Sequence, residues 1–151
     1  MRTETFVDRF PVAAPPDRVY AHLAEPANSV GLSPLIVAVR DVRRETGPDG
    51  RAVVRFVAVE RFRIAGPLRY DNILRVTQTA TGPDRQLVLD VLSPARVTVR
   101  FVMDLAPLDD GTEVTVTVTL RMPAPLRAYV LRTARRVQEY RARELARRMA
   151  G

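Results

Sequence analysis

The sequence contains no cysteine, no lysine and no tryptophan, and only one histidine in 151 residues. Without cysteine there is no disulfide scaffold, no zinc-thiolate site and no thiol nucleophile. Without lysine, Schiff-base chemistry and a Walker A loop are excluded, because both need an ε-amine. One histidine and no close-set carboxylate triad offer no ligand set for catalytic zinc or iron, so no metal is expected. A Ser-His-Asp arrangement would have to recruit His22 with Ser29, Ser33 or Ser93, none in a nucleophile-elbow context. No pair of glycines has dinucleotide-motif spacing, so no cofactor is expected either.

Long hydrophobic runs are missing as well. Nowhere do about 18 apolar residues stand together, and the opening MRTETFVDRF lacks the apolar stretch of a signal peptide. The expectation is a soluble, cytoplasmic protein with no transmembrane segment. No repeat, low-complexity tract or interdomain linker is visible, and the length suits one domain over residues 1–151. A homodimer is compatible with all of this.

The formal charge is +7, carried on the basic side by arginine alone, but it is unevenly spread. From Ala124 onward eight arginines face only Glu139 and Glu144, while the remaining residues carry 16 arginines against 15 acids. The body is nearly neutral and the tail is basic. Body strands with no exposed aromatics between their basic residues lack a stacking platform, so no specific nucleic-acid partner is expected.

Thr3 to Val12 reads as a strand and PPDRVYAHLAEP as a short helix, with proline in its first turn, Asp17 near the positive end of its dipole and Pro26 stopping it. Asn28 to Ser33 has room for one further turn. From Leu35 to Arg121 the period changes to two, punctuated by TGPDG, AGP, TGPD, SP and DDG. That predicts six strands joined by hairpins: Leu35 to Glu45, Arg51 to Ile64, Leu68 to Thr79, Arg85 to Leu92, Arg96 to Leu105 and Glu113 to Arg121. The last segment opens with MPAPL and runs without glycine or proline to Met149, a helix of roughly 36–40 Å at 1.5 Å per residue. Leu126, Tyr129, Val130, Thr133, Ala134, Val137, Tyr140 and Leu145 share one side of it, and Arg132, Arg135, Arg136, Arg143 and Arg147 the other.

This order, with FPVAAPPDRVYAHLAEP entering the first helix and MPAPLRAYVLRTARRVQEYRARELARRM closing the chain, resembles the helix-grip fold of the START-like superfamily, also called SRPBCC. That superfamily includes lipid-transfer domains and the polyketide cyclase/dehydratase family. Many members carry a tryptophan where this chain reads GLSPL on entering the second strand. The resemblance implies an α+β fold: a seven-stranded antiparallel sheet wrapped around the long C-terminal helix, with one or two short helices after the first strand. It also implies a cavity between sheet and helix for a hydrophobic small molecule.

The alternation identifies the faces turned towards that cavity. Phe101 and Val116 lie on the inward rows of the last two strands, and Leu89 on that of the strand before them. In the third strand Val54, Phe56, Ala58 and Phe62 carry Glu60 inward with them; in the fourth, Leu74 and Val76 do the same for Tyr70, Asn72 and Gln78. A hairpin centred on Gly66 sets Glu60 opposite Asn72 and Phe62 opposite Tyr70, whereas a slip of one would bury Arg69, Asp71 and Arg75. Phe6, Phe10 and Val12 likewise place Asp8 inward.

Glu60, Tyr70 and Asn72 thus form a polar patch in an apolar surround. A desolvated carboxyl has its pKa raised, which suits proton transfer; Glu60 is the candidate base, with Tyr70 and Asn72 donating to a developing oxyanion. Two structural roles compete for Glu60: an ion pair with Arg141 of the last helix, or a place at the wet mouth of the cavity. Asp8, Phe56, Phe62, Leu74, Gln78, Leu89, Phe101, Val116, Val130, Val137 and Arg141 are the candidate ligand-binding residues. The expected function is cyclisation or dehydration of a polyketide-like intermediate, the alternative a non-catalytic carrier of a lipid, isoprenoid quinone or similar hydrophobic ligand.

Overall fold

The computed structural model describes residues 1–81 and 85–151, so positions 82–84 of the expected TGPD turn lie outside the described residues. Strand β1 (Arg2–Val12) leads into helix α1 (Pro16–Ala24) and a single 3-10 turn (Pro26–Ser29). Six strands follow: β2 (Ile36–Thr46), β3 (Ala52–Ala65), β4 (Leu68–Thr81), β5 (Gln86–Leu92), β6 (Thr98–Leu108) and β7 (Gly111–Met122). A 3-10 turn over Ala124–Leu126 then opens helix α2 (Arg127–Met149). The seven strands form one antiparallel sheet in the order β1-β7-β6-β5-β4-β3-β2: the hairpin spacing predicts the run from β2 to β7, and β1 joins it beside β7. No helix among the described residues is long and apolar enough to cross a membrane.

The two-residue alternation is strictest in β7, where Val114, Val116, Val118 and Leu120 are buried and the intervening threonines are half-buried. Phe6 pairs across to Val118, so the inward rows of β1 and β7 are continuous. The opposite edge is less regular. Strand β2 breaks register with β3 between Ile36 and Ala38 and again between Arg40 and Arg43, and Asp41 takes a left-handed φ of 57°. Such bulges bend a strand and increase its twist, which curls this edge of the sheet. Gly111 serves a close approach of two strands. A Cβ there would stand 2.1 Å from the carbonyl oxygen of Val12, so only glycine lets β7 begin this close to the end of β1.

Helix α2 meets the sheet unequally along its length. Towards its C-terminus Gln138, Leu145 and Met149 are buried, whereas Val130 and Val137 nearer its start are only half-buried. Of the residues predicted on the inward side, Leu126, Tyr129, Val130, Thr133, Ala134 and Val137 line the space facing the sheet, while Tyr140 is exposed, a third of a turn or more from the buried positions 138, 145 and 149. Arg135, expected on the solvated side, lies with its guanidinium carbon 4.7 Å from the centre of the Phe6 ring, covering the β1 edge.

Three polar contacts fasten the segments around this framework. Thr112 donates to the Ala14 carbonyl at 2.6 Å, and Gln78 donates to the Ala24 carbonyl at 2.7 Å, satisfying an orphan acceptor at the C-terminus of α1. Arg148, near the end of α2, donates to the carbonyls of Asn28 (2.8 Å) and Val30 (3.0 Å) and reaches the His22 ring nitrogen Nε2 at 3.2 Å. The single histidine is thus a structural partner of this clamp. Its pKa is lowered, first by burial and then by the charges of Arg148 and Arg18.

Replacing Arg148 with Met keeps the apolar stem and removes the clamp. Urea unfolding should show a loss of about 2 kcal/mol, because charged hydrogen bonds to two carbonyls go unmade. In the same variant the His22 ring proton, the only one of its kind in an NMR spectrum, should titrate closer to the ordinary histidine range than in the wild type. An unchanged His22 titration would show that Arg148 does not act on it.

Candidate functional site

Because the first half of α2 stands off the sheet, a cavity of about 510 Å³ lies between them. That is within the range of small-molecule sites, roughly 300–1,000 Å³. Phe56, Leu74, Leu89 and Phe101 supply its floor from four neighbouring strands, and Val130 and Val137 its roof from α2. Ser29, Leu32 and Ser33 close one side from the loop that Arg148 clamps. A larger groove on the outer face of the sheet is lined by charged side chains, among them the ion pairs Arg100–Asp90 at 2.7 Å and Arg55, which pairs with Glu45 at 2.6 Å. Its walls carry five arginines against two aspartates, with every arginine exposed to solvent, whereas apolar side chains wall the inner cavity, which is the candidate site.

The polar patch is built by the β3–β4 hairpin. Glu60 pairs with Asn72 and Phe62 with Tyr70 in the register the alternation predicts, and all four line the cavity. The Asn72 side-chain nitrogen Nδ2 donates to the Glu60 oxygen Oε1 at 3.2 Å and to the Ser93 hydroxyl at 3.1 Å. Burial pushes the Glu60 carboxyl up, and the Asn72 hydrogen bond offsets part of that rise. Asn72 is buried, so its amide is a fixed support for the carboxyl, with both of its N–H groups already committed. Tyr70 is 52% exposed and stands where the cavity meets solvent.

Arg141 projects from α2 into the same cavity, its guanidinium carbon 4.9 Å from the centre of the Phe101 ring. It does not pair with Glu60: among the described residues no carboxylate lies within ion-pair distance of it. Burial lowers its pKa to about 10, so it remains charged at neutral pH.

Three of the residues predicted to line the cavity do not. Asp8 faces inward from β1, but α2 passes over that edge and Gln138 donates to its carboxylate at 3.2 Å. Gln78 is buried and spent on the Ala24 carbonyl. Val116 lies too far towards the β1 side, paired with Asp8 and Met103 in the packed core under α2. Alternation gives the correct face for all three, while the covering element differs. Conversely Ser93 enters the site unforeseen as a partner of Asn72; the inward row Leu87, Leu89 and Val91, continued by one step, passes through it. The loop residues Ser29, Leu32 and Ser33 carry no periodic signal that would have found them.

The chain belongs to the polyketide cyclase/dehydrase and lipid transport family, whose model matches residues 3–150. No curated protein matches the sequence. Among solved structures it is similar to the Zhui aromatase/cyclase from Streptomyces sp. R1128, with 21% identity, a TM-score of 0.66 and coverage of 97% of this chain and 96% of that one. A START superfamily protein from Mycobacterium smegmatis is similar at 17% identity and a TM-score of 0.69, with 96% of both chains covered. The di-domain ARO/CYC StfQ from the steffimycin biosynthetic pathway is similar at 15% identity and a TM-score of 0.69; 98% of this chain is covered, but the chain spans only 50% of that protein. At these identities the likenesses establish the fold alone, a helix-grip arrangement of the seven-stranded sheet and the long C-terminal helix.

The raised Glu60 pKa has a consequence for stability. A carboxyl that binds its proton more tightly when folded costs nothing below the ordinary glutamate range and destabilises progressively as pH rises through its own higher pKa. Glu60→Gln should therefore gain stability relative to the wild type as pH is raised from about 4 to about 8. Urea unfolding at a series of pH values checks this; a difference that stays flat across the series would mean that Glu60 is solvated in the folded protein.

Proposed function

We propose that the cavity binds a polyketide-like poly-carbonyl intermediate and catalyses its cyclisation and dehydration by acid-base chemistry at Glu60. The observation that carries this reading is a desolvated carboxyl, held by a buried amide, on the wall of an otherwise apolar cavity. A proton-transfer group works best with a pKa near the working pH, and burial moves Glu60 in that direction. Membership of the cyclase/dehydrase family supports the reaction class.

In the proposed sequence the Glu60 carboxylate removes a proton from a carbon flanked by two carbonyls, leaving an enolate. The enolate carbon attacks a second carbonyl within the folded chain, forming the new C–C bond, and the resulting alkoxide takes the proton back from Glu60. Glu60 then takes the second proton from the same carbon and delivers it to the hydroxyl on the neighbouring carbon, whose C–O bond breaks to release water and leave the double bond. Asn72 positions the base by holding its Oε1, and Tyr70, at the mouth, donates to a substrate carbonyl. The apolar walls exclude bulk water from the enolate.

Glu60→Gln preserves shape but removes the titratable base, so turnover of a poly-carbonyl substrate should fall roughly 100-fold or more while affinity changes little. Asn72→Ala should cost less, and Tyr70→Phe should leave the fold intact. Wild-type turnover in Glu60→Gln would remove the enzyme reading and favour the carrier. The carrier reading draws on one observation of its own, the predominance of aliphatic and aromatic side chains on the cavity floor and roof. Native mass spectrometry separates the two, since a co-purifying intact lipid or quinone favours a carrier and an aromatic product an enzyme.

A further inference from the structure

Arg141 is the one group in the cavity that neither packing nor the proposed acid-base step explains. Its side chain is half-buried and turned into the cavity, and a charge withdrawn from bulk water is ordinarily paired with a carboxylate or satisfied by several hydrogen bonds. Among the described residues the guanidinium makes no hydrogen bond or ion pair, and its ring contact is the face of Phe101, which attracts it but accepts no hydrogen bond in the ordinary sense. Among the described residues Gln138 Oε1 is the only fully enclosed side-chain polar atom without a partner, so the guanidinium nitrogens of Arg141 open onto the cavity space.

The nearest candidate counter-ion is not engaged. Glu60 lines the same cavity, yet it bonds to Asn72 instead, and the two charged groups remain apart. Glu144, one turn further along α2, is taken by Arg147 and Arg148. Asp8, on the facing strand, is taken by Gln138. What is left is a cation with no counter-ion among the described residues, on one wall of a largely apolar chamber, with its fork of donors turned to the cavity.

We propose that the ligand of this cavity is an anionic amphiphile, whose apolar body fills the space between sheet and α2 and whose anionic oxygen group is received by Arg141. This rests on the cavity being the ligand site. It narrows the ligand class to acids, such as carboxylates or the enolates of β-dicarbonyls, over neutral lipids and quinones. Burial raises Glu60 towards its neutral form, so the second ionisable group of the chamber opposes an anion less than an exposed carboxylate would.

The test compares two fluorescent probes with the same N-phenylnaphthylamine body, 8-anilinonaphthalene-1-sulfonate and neutral N-phenyl-1-naphthylamine, on the full chain. Only the sulfonate signal that the neutral probe displaces is counted, which removes binding to surface arginines. In Arg141→Gln the Kd of the sulfonate should rise about tenfold or more, as expected for a lost charged hydrogen bond, while that of the neutral probe changes little. Arg141→Lys keeps the charge and should lie between the two. The Gln variant removes an unpaired buried charge and should fold at least as well as the wild type.

Equal responses of both probes to Arg141→Gln, or a Lys variant no better than Gln, would overturn the anionic class and leave the Glu60 chemistry standing. If the neutral probe does not enter the wild-type protein, the cavity reading falls and takes this inference with it. Wild-type turnover in Glu60→Gln with a retained Arg141 effect on the probes would instead fault only the proposed reaction.

Discussion

Everything at the candidate site depends on helix α2 packing into the core at its C-terminal end while its earlier turns stand off strands β3 to β5. Leu145 and Met149 are packed into the core, and Arg148 ties the same end to the loop after α1. The preceding turns are tied to β1, by Arg127 to Glu4 at 2.5 Å and by Gln138 to Asp8 at 3.2 Å, but among the described residues no hydrogen bond or ion pair holds them to β3, β4 or β5. If α2 were packed evenly, Val130 and Val137 would fill the space that is now cavity. The arrangement leaves apolar surface facing a void, a cost a ligand can recover by filling it.

Within that space electrostatics are set by separation. Glu60 and Arg141 share one chamber and are each desolvated, yet each has a local support that is not the other: the Asn72 amide for the carboxyl, the Phe101 ring for the guanidinium. Had they formed an ion pair, the carboxyl would be held ionised and the cation neutralised, and neither would be available to a bound molecule. In a low-dielectric surround the unpaired state is expensive. It is the arrangement expected of groups whose partners arrive with a ligand.

Much of this is legible in the sequence, and for a physical reason. A strand's side chains alternate with period two, so one secure apolar row fixes the face of every residue on it, and the cost of burying Arg69, Asp71 and Arg75 fixes the register of the β3–β4 hairpin. The Glu60–Asn72 and Phe62–Tyr70 pairs follow from these two facts alone. What alternation does not carry is which element covers an inward face at a given height. Asp8 and Val116 are inward but lie beneath α2, and Gln78 is inward but beneath α1. Ser93 is at the end of a row, where a turn makes its direction ambiguous, and Leu32 and Ser33 come from a loop with no period. For α2 the difference is one residue, since hydrophobicity assigns Tyr140 to a stripe that packing does not include, whereas Tyr129 faces the cavity as predicted.

The central claim is that Glu60 is a desolvated carboxyl facing an open cavity, and it is tested most directly by ¹³C NMR titration of the side-chain carboxyls in glutamate-labelled protein. The chain has seven glutamates, and the resonance missing from Glu60→Gln identifies the one of interest. The account predicts that this resonance titrates above the ordinary glutamate range. Titration of Glu60 at or below that range would contradict it, because a solvated or ion-paired carboxylate has neither the environment nor the basicity that the site requires.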